Sequence, residues 1–337
     1  MAIAPLPFAL ILIYWNRQGM ASTALGGQLE RGEKEESRDR RYLAGRRIRL
    51  AWFLVTPTLL VLLLIVGYPL AQAFVLTFQK TKLDGSIAST FVGIDNYVRL
   101  LRDPEFLGSI WNSLRFTFIA VPVEGVFGLL FALGANSPFK GKWILRFAIL
   151  APWAVPSVAT SEIWRWMFHD VYGLINYVLI SFGRLFHLQF FSTGIPWLAL
   201  PQTAMEAIVA VDVWRSSPYV AVVLLAGLQL IPRELYDAAA IDGATNWKRF
   251  WHVTLPILSP TLLVALILRT VDAFRMFDLV AVMTEGDADT GTVAFYNKQV
   301  LIDFNNAGLG STVSVVMLFI SLSFIFVYSR LLKRSFQ

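Results

Sequence analysis

Apolar residues in this chain gather in six long runs, at 51–78, 109–135, 144–164, 204–231, 257–283 and 309–331, parted by segments holding most of the charge. Each run reaches the roughly 20 residues that a helix needs to cross about 30 Å of hydrocarbon. No two-residue alternation recurs on a ten-residue scale, so the pattern predicts helices rather than barrel strands. Pro57, Pro69, Pro122, Pro152, Pro156, Pro218 and Pro260 lie inside the runs and predict kinks, since neighbouring helices can take up the carbonyls they free. The fold class is an all-α polytopic membrane protein.

Composition agrees. Of 337 residues, 56% are hydrophobic and 15% charged, against about 25% charged in soluble domains. The absence of cysteine excludes disulfides and thiolate chemistry. His169, His187 and His252 stand too far apart to suggest a metal site. A net charge of +6 would suit nucleic acid, but the basic residues crowd at the ends of apolar runs, which is how a membrane protein sets its orientation. Segments 31–49, 136–146, 232–256 and 330–337 hold seventeen Lys and Arg; segments 79–108, 165–203 and 284–308 hold seven. The first set, with both termini of the six-run core, is therefore expected in the cytoplasm. Arg38, Arg40, Arg41, Arg46, Arg47 and Arg49 would anchor the first run. The opening MAIAPLPFALILIYW is short for a span and has no basic residue before it. Two readings stay open there: a true start at Met20, or a short extra helix.

Between the fourth and fifth runs lies ELYDAAAIDGATNWKRFWHVTLP, Glu234 to Pro256. Its alanines favour a helix from Glu234 to Asp242, with Leu235, Ala238 and Ala239 as one small apolar face. Gly243 offers the positive φ that ends many helices. A second short helix is predicted over about Asn246–Val253, with Trp247, Phe250 and Trp251 as a bulky stripe. Such a helix–glycine–helix suits a groove on another protein. A helix lying on the membrane surface would use the same tryptophans and lysine.

The pattern DAAAIDGA, then Phe250, then Leu255-Pro256, resembles the cytoplasmic signature loop of ATP-binding-cassette (ABC) importer permeases: Glu-Ala-Ala, three residues, Gly, and on to Leu-Pro. Asp237 stands where that family most often has glutamate, one methylene shorter. The resemblance covers residues 50–331. FVGIDNYVRLLRDPEFLGSIWNSLRFT (91–117) is similar to the external segment and second span of sugar-importer permeases. LRTVDAFRMFDLVAVMT (268–284) resembles the fifth span of the maltose, trehalose and glycerol-phosphate group.

This likeness implies a type I ABC importer transmembrane fold with six core spans: an N-terminal segment 1–50, a first span and external segment 51–108, and a permease domain 109–331. It implies that Asp237, Ala238, Ala239, Asp242, Gly243, Ala244, Phe250, Leu255 and Pro256 form an ATPase-coupling loop within 232–256. The implied partners are a second homologous permease subunit, two ATP-binding subunits holding ATP and Mg²⁺, an external solute-binding protein, a sugar and membrane lipid, with no nucleic acid. The implied location is the bacterial inner membrane. Independently, the chain has no G-x-x-x-x-G-K-[ST]; its Gly141-Lys142 pair is followed by Trp143. An ATP-derived driving force would have to come from elsewhere.

Charges within spans are costly and by default mark a functional site or an internal pair. The fifth run carries Arg269, Asp272, Arg275 and Asp278 at three-residue steps; the fourth carries Asp212 and Arg215, with Glu206 nearer its start. Alternating signs at i, i+3 predict pairing along one ribbon. Two uses stay open. The ions could lock spans four and five together. Alternatively, Asp212, Arg215, Asp272 and Arg275 could bond sugar hydroxyls while Trp214, Tyr219, Phe274 and Phe277 stack on C–H faces. Glu124, Glu162 and Arg115 look solitary and are expected at helix pairings or interfaces. The expected function is carbohydrate import by ATP-driven alternating access, with no catalysis by this chain. A secondary transporter driven by an ion gradient would want inverted repeats, and an intramembrane enzyme a nucleophile–base or metal-ligand set; neither pattern is found.

Overall fold

The computed structural model describes residues 49–138, 140–187 and 193–335. The expectations for residues 1–15, for Met20 and for the arginines before Arg49 fall outside them. The chain divides into two units, up to Ala71 and from Gln72 onward. The described part of the first belongs to α1 (Arg49–Leu76), apolar on every side as a lipid-facing helix requires. Within it the backbone opens into a π turn at Leu63–Gly67. Pro69 lies just beyond; its ring would otherwise meet the Ile65 carbonyl and its missing N–H leave that carbonyl unpaired.

The second unit begins with a small antiparallel hairpin, β1 (Gln79–Lys80) with β2 (Thr90–Phe91), and α2 (Asp95–Arg102). The second span is α3 (Pro104–Asn136), longer than its apolar run. Its start is fixed by chemistry that hydropathy ignores: Asp103 Oδ1 accepts from the Glu105 and Phe106 amides, and Pro104 fills the first helical position. Tyr296 donates to the other Asp103 oxygen at 2.7 Å; burial, then that carboxylate, push its phenol above the ordinary range.

The third span departs from expectation. Instead of one helix over 144–164 there are two, α4 (Lys142–Ala154) and α5 (Ser157–Met167), bent by 93°. Val155 precedes Pro156 and is driven out of the helical region to φ −79°, ψ 132°. Pro152, Pro122, Pro218 and Pro260, by contrast, sit inside continuous helices. After α6 (Leu174–Leu185) comes the fourth span, α7 (Pro201–Gln229).

Then follow α8 (Arg233–Ile241) and α9 (Asn246–Arg249), which runs through a π turn (Phe250–Thr254) into α10 (Leu255–Phe274). The fifth span continues to Met283, but not as one helix: residues 275–277 turn, and α11 (Asp278–Met283) starts anew. The break is held from outside, because Thr292 donates to the Met276 carbonyl at 2.7 Å. The ionic ribbon expected from Arg269 to Asp278 therefore stops at the Arg269–Asp272 pair. Asp278 instead accepts from Ser157 of α5. Last come α12 (Val293–Lys298) and the sixth span, α13 (Ala307–Ser335).

Small residues let the spans approach, as membrane packing favours. A Cβ on Gly128 of α3 would lie 2.6 Å from Val220 of α7, and one on Gly227 2.9 Å from Leu258 and Thr261 of α10. Around these points Ala132, Val220, Leu224, Leu228 and Leu258 form a buried cluster. Gly128→Val should therefore cost about 1–3 kcal/mol by overpacking, read as a lower Tm and less monodisperse protein in detergent. Gly108→Ala, with nothing within 4 Å, should leave both unchanged.

Candidate coupling loop and buried charge cluster

The stretch from Arg233 to Thr254 folds as helix, glycine, helix. Gly243 adopts φ +75°, and the Ala244 amide reaches back to the Ala239 carbonyl at 2.9 Å while Gly243 N–H bonds Ala240. That bond pair closes α8 as a Schellman motif, for which a positive-φ glycine is suited. Thr245 then caps α9 by accepting from the Lys248 amide. Asp237, Ala238 and Asp242 are exposed, Ala239 and Ala244 half-buried. Trp247, Phe250 and Trp251 lie 5.3–6.1 Å apart between ring centroids, and both tryptophans are exposed. Leu255 is half-buried and Pro256 exposed at the foot of α10.

What ties this loop to the bundle is Tyr236, a residue the sequence reading passed over. Its hydroxyl meets Thr254 Oγ1 at 3.0 Å, and its ring packs on the cluster containing Leu228 and Leu258. With Tyr236 inward, the predicted face of Leu235 and Ala238 is left outward.

Deeper in the bundle the charges converge on Arg269, whose side chain is 4% exposed. Glu124 of α3 grips it with both oxygens, at 2.7 Å to Nε and 2.9 Å to Nη2. Asp212 of α7 accepts from Nη2 at 2.9 Å, and Asp272 from Nη1 at 2.5 Å. Glu124 and Asp212 are fully buried, whereas Asp272 is 71% exposed. Asp212 also accepts from Ser216 and faces Arg215 at 3.9 Å. Glu124 is thus not solitary: one guanidinium joins spans two, four and five, where only four and five were expected. Its partner lies 145 residues away, beyond any local spacing signal. Arg115 likewise pairs across spans, with Glu206 at 2.5 Å, and Glu162 accepts from Trp166 within its own helix.

The cluster borders a cavity of about 290 Å³ lined by Trp153, Arg215, Ser216, Tyr219, Leu268 and Asp272, with Arg269 at its wall. The rings of Trp153 and Tyr219 lie 6.2 Å apart, and Arg215 Nε is buried without an acceptor among the described residues. Arg215, Tyr219 and Asp272 are thus brought together. The other proposed pathway residues lie elsewhere. Trp214 packs edge-on to Trp164 at 5.4 Å and lines a separate apolar groove of about 740 Å³. Phe274 is wholly buried against Phe324, Phe277 stacks on Phe295, and Arg275 is exposed in the span-five turn.

A bundle of apolar helices with charged side chains edging an internal cavity, and with an exposed helix–glycine–helix between two spans, suits the transmembrane part of a transporter. The chain belongs to the binding-protein-dependent transport system inner membrane component family, whose pattern matches residues 125–337. It is 38% identical over 304 residues to the sulfoquinovosyl glycerol transport system permease protein SmoG of Agrobacterium fabrum, covering 89% of this chain and 96% of that one. It is 38% identical over 287 residues to the trehalose/maltose transport system permease protein MalF of Thermococcus litoralis, covering 84% and 93%. Among solved structures, a chain of a bacterial ABC transporter involved in import of the acidic polysaccharide alginate superposes with a TM-score of 0.73 at 18% identity, over 88% of this chain and 99% of that one. The fold is that of a type I ABC importer permease.

Removing one member of a buried ion group leaves the others uncompensated, at about 3–5 kcal/mol. Arg269→Met should therefore abolish or sharply lower the yield of folded protein, and Glu124→Ala should do the same. Asp272→Ala, on the exposed arm, should shift the detergent Tm by only a few degrees. Equal losses from all three would mean that burial does not rank them.

Proposed function

We propose that this chain, beside a second homologous permease subunit, forms the pathway of an ATP-driven importer for a carbohydrate, a di- or oligosaccharide or a glycoside. The relatives' names support the substrate class. An external solute-binding protein would deliver it; a superposing transporter was crystallised with a periplasmic protein holding an alginate pentasaccharide. Two ATP-binding subunits carry ATP and Mg²⁺, since this chain's sequence has no phosphate-cradling loop. The loop end faces the cytoplasm, as its Lys and Arg content favours.

One observation carries the mechanism: α8 and α9 present an exposed face yet are anchored by Tyr236 to the foot of span five. Closure of the ATPase pair on Asp237–Phe250 displaces α8. Tyr236 passes that displacement to Thr254 and to the Leu228–Leu258 cluster, where α7 and α10 meet. Those helices carry Asp212, Arg215, Arg269 and Asp272, so their shift changes access to the polar cavity. This is coupling between two sites through a bundle with two arrangements. In the cavity Trp153 and Tyr219 offer ring faces to sugar C–H groups, while Arg215 and Asp272 bond hydroxyls. Asp212, buried, holds Arg269 and faces Arg215 at this wall without touching the sugar.

Asp237→Lys should uncouple the machine: ATP hydrolysis persists in reconstituted vesicles while sugar uptake falls at least tenfold. Undiminished uptake would sink the model. Asp272→Ala should abolish uptake while the complex still assembles and hydrolyses ATP; failure to assemble would instead assign Asp272 to helix locking.

A further inference from the structure

The short helix α6 has the composition of a span without the length of one. Its 12 residues rise about 18 Å, far less than the ~30 Å of a hydrocarbon core. One stripe is held inward. Asn176 and Gly183, seven residues apart, are buried. The Asn176 amide is fully used: Nδ2 donates to the Asp170 and Ile195 carbonyls at 2.8 and 2.9 Å, and Oδ1 accepts from Ile195 N–H and Trp197 Nε1 at 3.1 and 2.9 Å. These bonds fix the helix's rotation; Ile175 packs inward beside them, and the opposite surface faces out. Tyr177 is 70% exposed and Leu185 72%, with Leu174, Val178 and Phe182 close to half.

Along the outward surface Leu174, Tyr177, Ser181 and Arg184 recur at i, i+3, i+7 and i+10, a single helical face. It borders a cavity of about 340 Å³ that Val171 and Tyr172 help to close. The lining is amphipathic: aliphatic side chains, two phenols, a serine hydroxyl and one guanidinium. Arg184 makes no ion pair among the described residues. Tyr172 is held in position by stacking on His169, centroid to centroid 3.5 Å, with Trp166 at 5.5 Å.

We propose that α6 lies in the headgroup layer of the bilayer and that this cavity binds one anionic phospholipid. Three features point there. An exposed apolar helix too short to cross is stable at the interface, where its apolar side enters the acyl region. Tyrosines concentrate at that depth. An arginine with no ion-pair partner among the described residues and with neighbouring hydroxyls matches a phosphate, to which guanidinium bonds bidentately, and an anionic headgroup adds attraction that a zwitterionic one offsets with its own cation. The phosphate sits at Arg184, Ser181 and Tyr177; the acyl chains follow Leu174 and Val178.

The test uses the full-length protein, purified with its native subunits, and reads bound lipid by native mass spectrometry after exposure to mixed phosphatidylglycerol and phosphatidylcholine. Its readout is lipid rather than uptake, so it stands or falls apart from the sugar assignment. Wild type should retain phosphatidylglycerol in preference. Arg184→Gln should lower that retention about fivefold, the worth of one basic residue at an anionic surface, and Arg184→Lys should keep most of it. Excess inorganic phosphate should displace none. Equal retention by Arg184→Gln overturns the proposal, as does an equal loss of phosphatidylcholine, displacement by free phosphate, or a photocross-linker at Tyr177 that captures a protein subunit in place of lipid.

Discussion

Moving an arginine and two carboxylates out of water costs several kcal/mol per ion even after relaxation, and attraction between them repays this only if the geometry is tight. Arg269 meets that condition with five donors in a rigid fork, two of them spent on one carboxylate. Because Glu124, Asp212 and Arg269 sit on three different helices, the same requirement fixes how those helices face one another. Rotate any of them and a buried charge loses its partner. The packing of Gly128 on Val220 and of Gly227 on span five works in the same direction, setting the distance while the ions set the angle.

The two ends of this arrangement are fastened by different contacts. At the end away from the loop, span two is capped by Asp103, which is bonded in turn by Tyr296, and Thr292 stitches the span-five break. At the loop end the attachment is sparse: one hydroxyl pair, one ring on a cluster, and a π turn between the aromatic stripe and span five. A π turn has looser hydrogen bonding than an α-helix; the far end has one as well, at Gln299–Asp303 after α12.

Much of this was legible in the residues. Apolar run length found five helices long enough to cross and a sixth run that folds as the bent pair α4 and α5, and Gly243 with the alanines before it gave the helix–glycine–helix, because propensity and positive φ are local properties. The signature DAAAIDGA led directly to the family. What escaped had non-local causes. Glu124 looked solitary because its partner is 145 residues away. The turn at Arg275 contains neither glycine nor proline, and the bond that holds it comes from Thr292. Prolines marked the third span, yet Pro152 is accommodated within a helix and Pro156 ends one, a difference set by surroundings rather than by the residue itself. Tyr236 was invisible for a simpler reason: a single tyrosine in a polar loop has no pattern.

The corner between α4 and α5 has a further consequence. Neither arm, about 20 and 16 Å long, crosses a bilayer by itself, and the last carbonyls of α4 have no following turn to receive. Such backbone survives at membrane depth only against protein or beside water. Ala154 and Pro156 lie open on the surface of the lone chain, while Trp153, one step before, faces the polar cavity. The freed carbonyls at this elbow therefore need water or protein beside them, and the cavity at Trp153 offers room for water on one side.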